Sequence, residues 1–241
     1  MFCLNSSDFL VLRFIKTIET LTEKLDFPEE GESSSRTIIN STNMVVSLVT
    51  AAKLENTSRL YFSANANTTN VIETKNLSKN SLEKFEVDLS LPKEAFDLAN
   101  STKVVFFLYR KTSFFKLKKD TKLWIRGYII AASLQGKKIA NLNTPVILRY
   151  SKSKNNINVS KPLCVFWNFK YNLNMGGWSE DGCTFQRNDK DKYDECHCNH
   201  LTHFAMLLYS KLHDVCTHNL LLYNEVNDCF EMLSLMFRYP A

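Results

Sequence analysis

The sequence CHCNHLTHFAMLL, residues 196–208, decides both the fold and the candidate chemistry of this chain. Its second half, from Phe204 to Leu208, is almost entirely apolar, and a continuous apolar run is typical of a strand that is buried on both faces. Ahead of it, Cys196 and Cys198 fall on one side of an extended backbone, because side chains alternate along a strand. The segment therefore predicts a cysteine-bearing strand followed by a buried strand.

Between these two parts, His200, Leu201 and Thr202 place a potential base and a potential nucleophile beside one peptide bond. An imidazole with an ordinary pKa of ~6.5 suits proton transfer near neutral pH. Once it has lost its proton, the Thr202 hydroxyl could attack the Leu201 carbonyl carbon and convert the amide into an ester, which is an N→O acyl shift. Water would then hydrolyse the ester and so complete the cleavage. The predicted chemistry is a single-turnover self-cleavage that needs no metal or cofactor, not an enzyme acting on other substrates.

The spacing of His200 and Thr202 does not by itself bring the two groups together. In a straight strand they face the same side but lie ~6.6 Å apart, too far for a hydrogen bond. A general base contributes a factor of ~10²–10⁴, so the rest of the acceleration must come from positioning and from a strained or polarised amide. We therefore expect the backbone to bend at Leu201.

Four of the seven cysteines form a local cluster that indicates disulfide bonds. Four cysteines permit three pairings, and the residues alone do not choose among them. A zinc site is the alternative, but its spacing fits structural zinc sites poorly. The clustered cysteines are Cys164, Cys183, Cys196 and Cys198. The zinc alternative would use Cys196, Cys198, His200 and His203 as ligands. The other three cysteines, Cys3, Cys216 and Cys229, have no evident partner.

Several features bear on the compartment. The start of the chain, Met1 to Leu12, lacks the pattern of a signal peptide, and the apolar segment from Leu220 to Phe237 is interrupted by charged residues, so no membrane span is expected. Asn-x-Ser/Thr sequons recur along the chain and favour an extracellular protein. These candidate glycosylation sites are Asn5, Asn40, Asn56, Asn67, Asn76, Asn100 and Asn158.

The remaining sequence predicts a mainly β protein. Hydrophobic residues make up 44% and charged residues 23%, as in globular proteins, and the modest net charge of +5 does not indicate nucleic-acid binding. Short strand-like runs separated by polar turns favour an antiparallel β-sandwich. The runs are Met44–Val49, Leu60–Ser63, Lys84–Leu91, Val104–Arg110, Leu123–Leu134 and Pro145–Tyr150, with a short helical block at Pro92–Ala99 that Pro92 would open.

Helical periodicity from Ser7 to Leu25 predicts an N-terminal amphipathic helix, and the acidic, Ser-rich stretch Pro28–Ser35 marks a boundary after it. We therefore divide the chain into a helical segment (1–30), a β-sandwich (35–209) that includes the cysteine cluster (164–208), and an irregular or helical tail (210–241).

The order of Cys164, Trp167, Trp178, Cys183, Cys196 and Cys198, followed by His-Leu-Thr and an apolar run, resembles the GPS motif of adhesion G-protein-coupled receptors. Upstream, the strand-rich region with Asn141–Val146 looks like the remainder of a GAIN domain. The resemblance implies that the motif is the last part of a GAIN β-sandwich and that the N-terminal helix is the end of the helical subdomain. It also implies the pairings Cys164–Cys196 and Cys183–Cys198, with Trp167 and Trp178 packed as core beside them.

In that family the segment starting at the nucleophile acts as a tethered agonist, which here would comprise Thr202, Phe204, Ala205, Met206, Leu207 and Leu208. The resemblance implies a place at the extracellular face of the plasma membrane. Implied partners are the chain's own C-terminal fragment, held non-covalently after cleavage, a seven-helix domain in a full-length parent, and an unidentified extracellular ligand. Two alternatives remain at this point: a non-cleaving structural or binding module, and a fragment of a polycystin-like membrane protein.

Overall fold

The structure is a computed structural model that describes residues 6–25, 27, 35–51, 59–65, 69–74, 85–115, 117, 123–135, 137–152, 162–171, 176–187 and 192–209. The predicted tail 210–241, with its possible helix, lies outside these residues, as do Cys3, Cys216 and Cys229.

The described chain contains strands of three to seven residues, two α-helices and one turn of 3-10 helix. Helix α1 spans Ser6–Thr22, α2 spans Lys93–Ala99, and the 3-10 turn spans Thr112–Phe114. The strands are β1 Ser35–Asn40, β2 Met44–Thr50, β3 Arg59–Ala64, β4 Thr69–Thr74, β5 Val87–Pro92, β6 Lys103–Tyr109, β7 Leu123–Ile125, β8 Ile129–Ser133, β9 Val146–Ser151, β10 Leu163–Asn168, β11 Gly177–Ser179, β12 Cys183–Gln186, β13 Tyr193–Cys198 and β14 His203–Tyr209.

These strands form two antiparallel sheets. Sheet A has the order β1-β2-β6-β8-β14-β10-β11, with β7 also paired to β14, and sheet B has the order β12-β13-β9-β5-β3-β4. The chain therefore passes from sheet B to sheet A between β13 and β14, and β14 lies inside sheet A with neighbours on both sides.

Two apolar cores cover the two faces of sheet A. The first lies between the sheets and joins residues of sheet B, such as Phe62 and Leu89, to residues of sheet A, such as Phe106 and Met206. The second lies on the outer face of sheet A, where Ile15 of α1 packs among residues of that sheet. Because both faces of sheet A are covered, its central strands are apolar throughout rather than alternating.

This architecture confirms the predicted mainly β sandwich with an N-terminal helix. The predicted run Leu123–Leu134 contains two strands, β7 and β8, which are separated around Gly127 at φ +65. Pro92 ends β5 and caps α2 instead of occupying its first turn. The predicted runs do not include β1, β4, β10, β11 or β12, and all of these except β10 are end strands of the two sheets, where polar residues are common.

Candidate functional site

The His-Leu-Thr triplet lies where the chain leaves one sheet and enters the other. Strand β13 ends at Cys198 and β14 begins at His203, and the backbone bends at Asn199, His200 and Thr202 between them. The crossover is held by three backbone hydrogen bonds: Asn199 N–H donates to Gly182 O (3.0 Å), Leu142 N–H to Asn199 O (2.9 Å) and Leu201 N–H to Ile139 O (3.0 Å). The backbone therefore bends around Leu201, at residues 199, 200 and 202, where the sequence predicted a bend at Leu201 itself.

Two disulfides hold the strand that leads into this crossover. Cys164 of β10 bonds to Cys196 of β13 and ties sheet A to sheet B, with a Cα–Cα distance of 5.6 Å. Cys183 of β12 bonds to Cys198 of β13 within sheet B, with a Cα–Cα distance of 4.1 Å. These are the pairings that the family resemblance implies, and they fix β13 on both sides up to the residue before Asn199. Because Cys196 and Cys198 are both in disulfides, neither is available as a thiolate ligand for zinc.

The His200 ring is half-buried between aromatic side chains. It meets Phe166 edge to face at 4.4 Å between ring centroids and lies 5.7 Å from Phe204. Its Nδ1 is 3.0 Å from Asn199 Oδ1, while Nε2 is buried without a hydrogen-bond partner. Burial lowers the pKa of His200, an effect that the carboxylate of Asp181 partly opposes. The imidazole is thus neutral at neutral pH and has one nitrogen free to accept a proton.

The Thr202 hydroxyl points elsewhere. It donates to the backbone carbonyl of Trp167 over 3.4 Å, a long and weak hydrogen bond. Within the part of the chain that the structure describes, no hydrogen bond joins His200 to Thr202. A proton transfer between these two side chains would require the hydroxyl to turn from Trp167 O toward His200 Nε2.

His203, which directly follows Thr202, lies in a different environment. It is buried in the outer core of sheet A, where its Nε2 is 3.0 Å from Tyr109 Oη and its Nδ1 is 3.7 Å from Glu19 Oε1 of α1. Burial lowers the pKa of His203 to about 3 and raises that of Glu19 to about 7. His203 is thus a neutral packing residue between sheet A and α1.

Trp167 and Trp178 form part of the core, but not beside the disulfides as expected. The two rings meet edge to face at 5.2 Å, and Trp167 packs in the outer core of sheet A. Cys164 belongs to the core between the sheets instead. Residues three apart on β10 point to opposite faces, which places Trp167 and Cys164 on different sides of the sheet.

Strand β14, which carries the apolar run of the sequence, is buried along almost its whole length. Phe204, Met206 and Leu208 enter the core between the sheets, and Leu207 enters the outer core with Ala205. Strand β10 pairs with one edge of β14, and β7 and β8 pair with the other.

Arg126, which lies between β7 and β8, adds a polar contact to β14. Its backbone N–H donates to the backbone carbonyl of Met206 (2.8 Å). Its guanidinium donates to Asp194 Oδ2 of sheet B (2.6 Å) and to the backbone carbonyl of Ser151. Neither side chain of the ion pair is more than 13% exposed. Sequence reasoning missed this contact, because nothing in the local pattern pairs residues so far apart.

Of the candidate glycosylation sites, the structure describes Asn40 and Asn100, and both are exposed. The other five, Asn5, Asn56, Asn67, Asn76 and Asn158, lie outside the described residues. Among the helices that are described, none is long and apolar enough to cross a membrane.

Comparisons with known proteins agree with this fold. The family model for GPS, GAIN subdomain B, matches residues 16–212. Adhesion G-protein coupled receptor G4 of Mus musculus is 34% identical over 130 residues, covering 53% of this chain and 4% of the receptor. Adhesion G-protein coupled receptor G6 of Danio rerio is 27% identical over 206 residues, covering 80% of this chain and 16% of the receptor. The chain thus spans a small part of these relatives.

A solved structure, the full extracellular region of zebrafish Gpr126/Adgrg6, has a similar fold. It superposes with a TM-score of 0.60 at 23% identity, covering 81% of this chain and 26% of the solved one.

Proposed function

Because the chain belongs to the GAIN subdomain B family and forms the GAIN domain of an adhesion G-protein-coupled receptor, we propose that it cleaves itself between Leu201 and Thr202. The observation that carries the proposal is the position of this bond. It lies in a bend between two sheets, next to a neutral imidazole with an unpartnered Nε2. In a regular strand, the extended backbone would keep the His200 and Thr202 side chains ~6.6 Å apart.

The reaction uses only groups of this chain and water. The Thr202 hydroxyl gives its proton to His200 Nε2, and Oγ1 attacks the Leu201 carbonyl carbon. The Leu201–Thr202 C–N bond then breaks while the imidazolium returns the proton to the departing nitrogen, which leaves an ester and a free amine. Water hydrolyses the ester, so that Leu201 ends in a carboxylate and Thr202 regains its hydroxyl.

After cleavage, β14 would remain in place by packing alone. Both described disulfides, Cys164–Cys196 and Cys183–Cys198, lie entirely before Thr202 and do not link the two fragments. The buried apolar side chains of β14 are each worth roughly 1.5–3 kcal/mol of transfer free energy, which supports stable non-covalent association. In a longer parent, the buried segment from Thr202 to Leu208 would act as a tethered agonist for a seven-helix domain once it is pulled out.

By the same membership, we place the domain on the extracellular face of the plasma membrane, where a ligand of unknown identity could bind. The relatives described above are adhesion receptors, which favours such a parent over a polycystin-like one.

A second function is a non-cleaving structural module, and one observation favours it. The Thr202 hydroxyl hydrogen-bonds to Trp167 O instead of His200. If the hydroxyl cannot turn, the domain folds and stays intact.

Denaturing electrophoresis of the protein produced by secretion decides between the two. We expect two bands for the wild type and one for Thr202→Ala. The control variant Thr184→Ala, at an exposed position of β12, should give two bands. A single band for a folded wild-type protein would establish the non-cleaving module.

A further inference from the structure

We propose that Asn199 and Gly182 are positioning residues that hold His200 as a base, an inference that rests on the proposed self-cleavage. Asn199 precedes His200 and directly follows Cys198, the last residue held by a disulfide. Its side-chain Oδ1 lies 3.0 Å from His200 Nδ1, which makes it the hydrogen-bond partner of the imidazole.

This contact selects the tautomer of the ring. An amide oxygen accepts only, so His200 Nδ1 carries the proton and Nε2 carries the lone pair. Nε2 is the buried, unpartnered nitrogen, and a lone pair there is what the Thr202 hydroxyl needs. With the proton on Nε2 instead, the ring would donate on that side and could not accept the Thr202 proton.

Gly182 provides the space for the Asn199 amide. Its carbonyl accepts from Asn199 N–H at 3.0 Å, so the turn before β12 and the crossover are joined directly. A Cβ at Gly182 would lie 2.3 Å from Asn199 Oδ1 and 3.2 Å from His200 Nδ1. Any side chain there would displace the amide from the imidazole. Gly182 is also at φ +75, in the left-handed region that favours glycine.

Gly127 offers a matched control for this position. It has a similar φ of +65, but no atom lies within 4 Å of its hypothetical Cβ. An alanine at either site carries the same kind of backbone strain, and only Gly182→Ala also displaces the Asn199 amide. The comparison separates the strain from the positioning effect.

The first test measures the cleavage rate of newly folded protein from pH 5 to 9 by denaturing electrophoresis. Asn199→Leu removes the acceptor at similar volume and should slow cleavage by at least about tenfold and by no more than the ~10²–10⁴ that a general base contributes. Asn199→Asp keeps the acceptor but adds a negative charge that raises the pKa of His200. Its rate at high pH should stay close to wild type, while the pH of half-maximal rate moves upward.

Further variants separate positioning from folding. Gly182→Ala should slow cleavage far more than Gly127→Ala. The control Asn43→Leu, at an exposed asparagine between β1 and β2, should cleave like the wild type. A purely structural role for Asn199 would lower the yield of both Asn199 variants without moving the pH profile. That result, or wild-type rates in Asn199→Leu, would overturn the proposal.

A second readout does not depend on cleavage. In Thr202→Ala protein, ¹⁵N chemical shifts of the His200 ring should report a proton on Nδ1, and Asn199→Leu in the same background should lose this preference. If the wild type proves uncut but the shifts behave in this way, the proposed function fails while the positioning of His200 stands. If the ring carries its proton on Nε2, the positioning proposal is wrong even when the wild type cleaves.

Discussion

Shortening Leu207 to alanine should loosen β14 without touching the Leu201–Thr202 bond, the proposed site of cleavage. Leu207 is 2% exposed, lies in the outer core of sheet A, and is paired with Leu163 of β10 on one side and Ile125 of β7 on the other. Replacing a buried leucine by alanine costs about 2–5 kcal/mol, because it removes apolar contacts and leaves a cavity. Taking about 3 kcal/mol as the central value, and 2–4 °C per kcal/mol for a domain of this size, the melting temperature should fall by about 6–12 °C.

In the proposed cleaved state, the same loss of packing would speed release of the C-terminal fragment. Because the two described disulfides lie on the N-terminal side of the cut, packing and strand pairing hold β14. If the packing free energy lost in Leu207→Ala destabilises only the bound state of the fragment, a loss of about 3 kcal/mol corresponds to roughly 100-fold faster dissociation. The assay captures the N-terminal fragment through a tag and follows the loss of the C-terminal fragment with time in mild denaturant.

The control is Leu98→Ala on α2, where the leucine is 58% exposed and the change should stay within about 0.5 kcal/mol. The reasoning is refuted if Leu207→Ala melts and releases its fragment like Leu98→Ala. Such a result would mean that the packing of β14 does not hold the two fragments together.

Two further predictions concern polar groups around β14. Replacing Arg126 by methionine or Asp194 by asparagine breaks a largely buried ion pair, so each variant should lose about 3–5 kcal/mol of unfolding free energy and release the C-terminal fragment faster. Additive effects in the double variant would show that the two side chains are not coupled. For Glu19, whose pKa burial raises to about 7 from 4.5, the unfolded chain loses its proton at lower pH than the folded one, so its contribution to stability falls as pH rises from about 4.5 to about 7. Asp88 and His203, whose pKa values burial also shifts, titrate in both proteins and cancel in the difference between them. Denaturant unfolding should therefore show the stability of wild type relative to Glu19→Gln falling across this range, and parallel curves would contradict the assignment.

The local features of the motif could be predicted from sequence because they depend on neighbouring residues. The apolar run from Phe204 to Leu208 predicted a strand buried on both faces, and β14 is such a strand. The fixed 3.3 Å rise of a strand also required a bend between His200 and Thr202, and the chain bends there. In both cases backbone geometry links pattern to structure with no tertiary information.

Features that depend on which strands meet could not be predicted in the same way. The contact of Arg126 with Asp194 joins the two sheets, and no local pattern connects residues 68 positions apart. The Asn199 amide and the space at Gly182 likewise meet only because β12 and β13 pair. Trp167 was expected beside the disulfides, but strand parity places it on the opposite face of sheet A from Cys164.

The central claim is that the chain breaks its own backbone at one bond. N-terminal sequencing of the smaller fragment, combined with intact mass under denaturing conditions, tests it most directly. We predict a new N-terminus that reads Thr-His-Phe-Ala-Met from Thr202, and an N-terminal fragment that ends at Leu201. A folded protein that remains a single chain of 241 residues, or one cut at any other bond, would contradict the account.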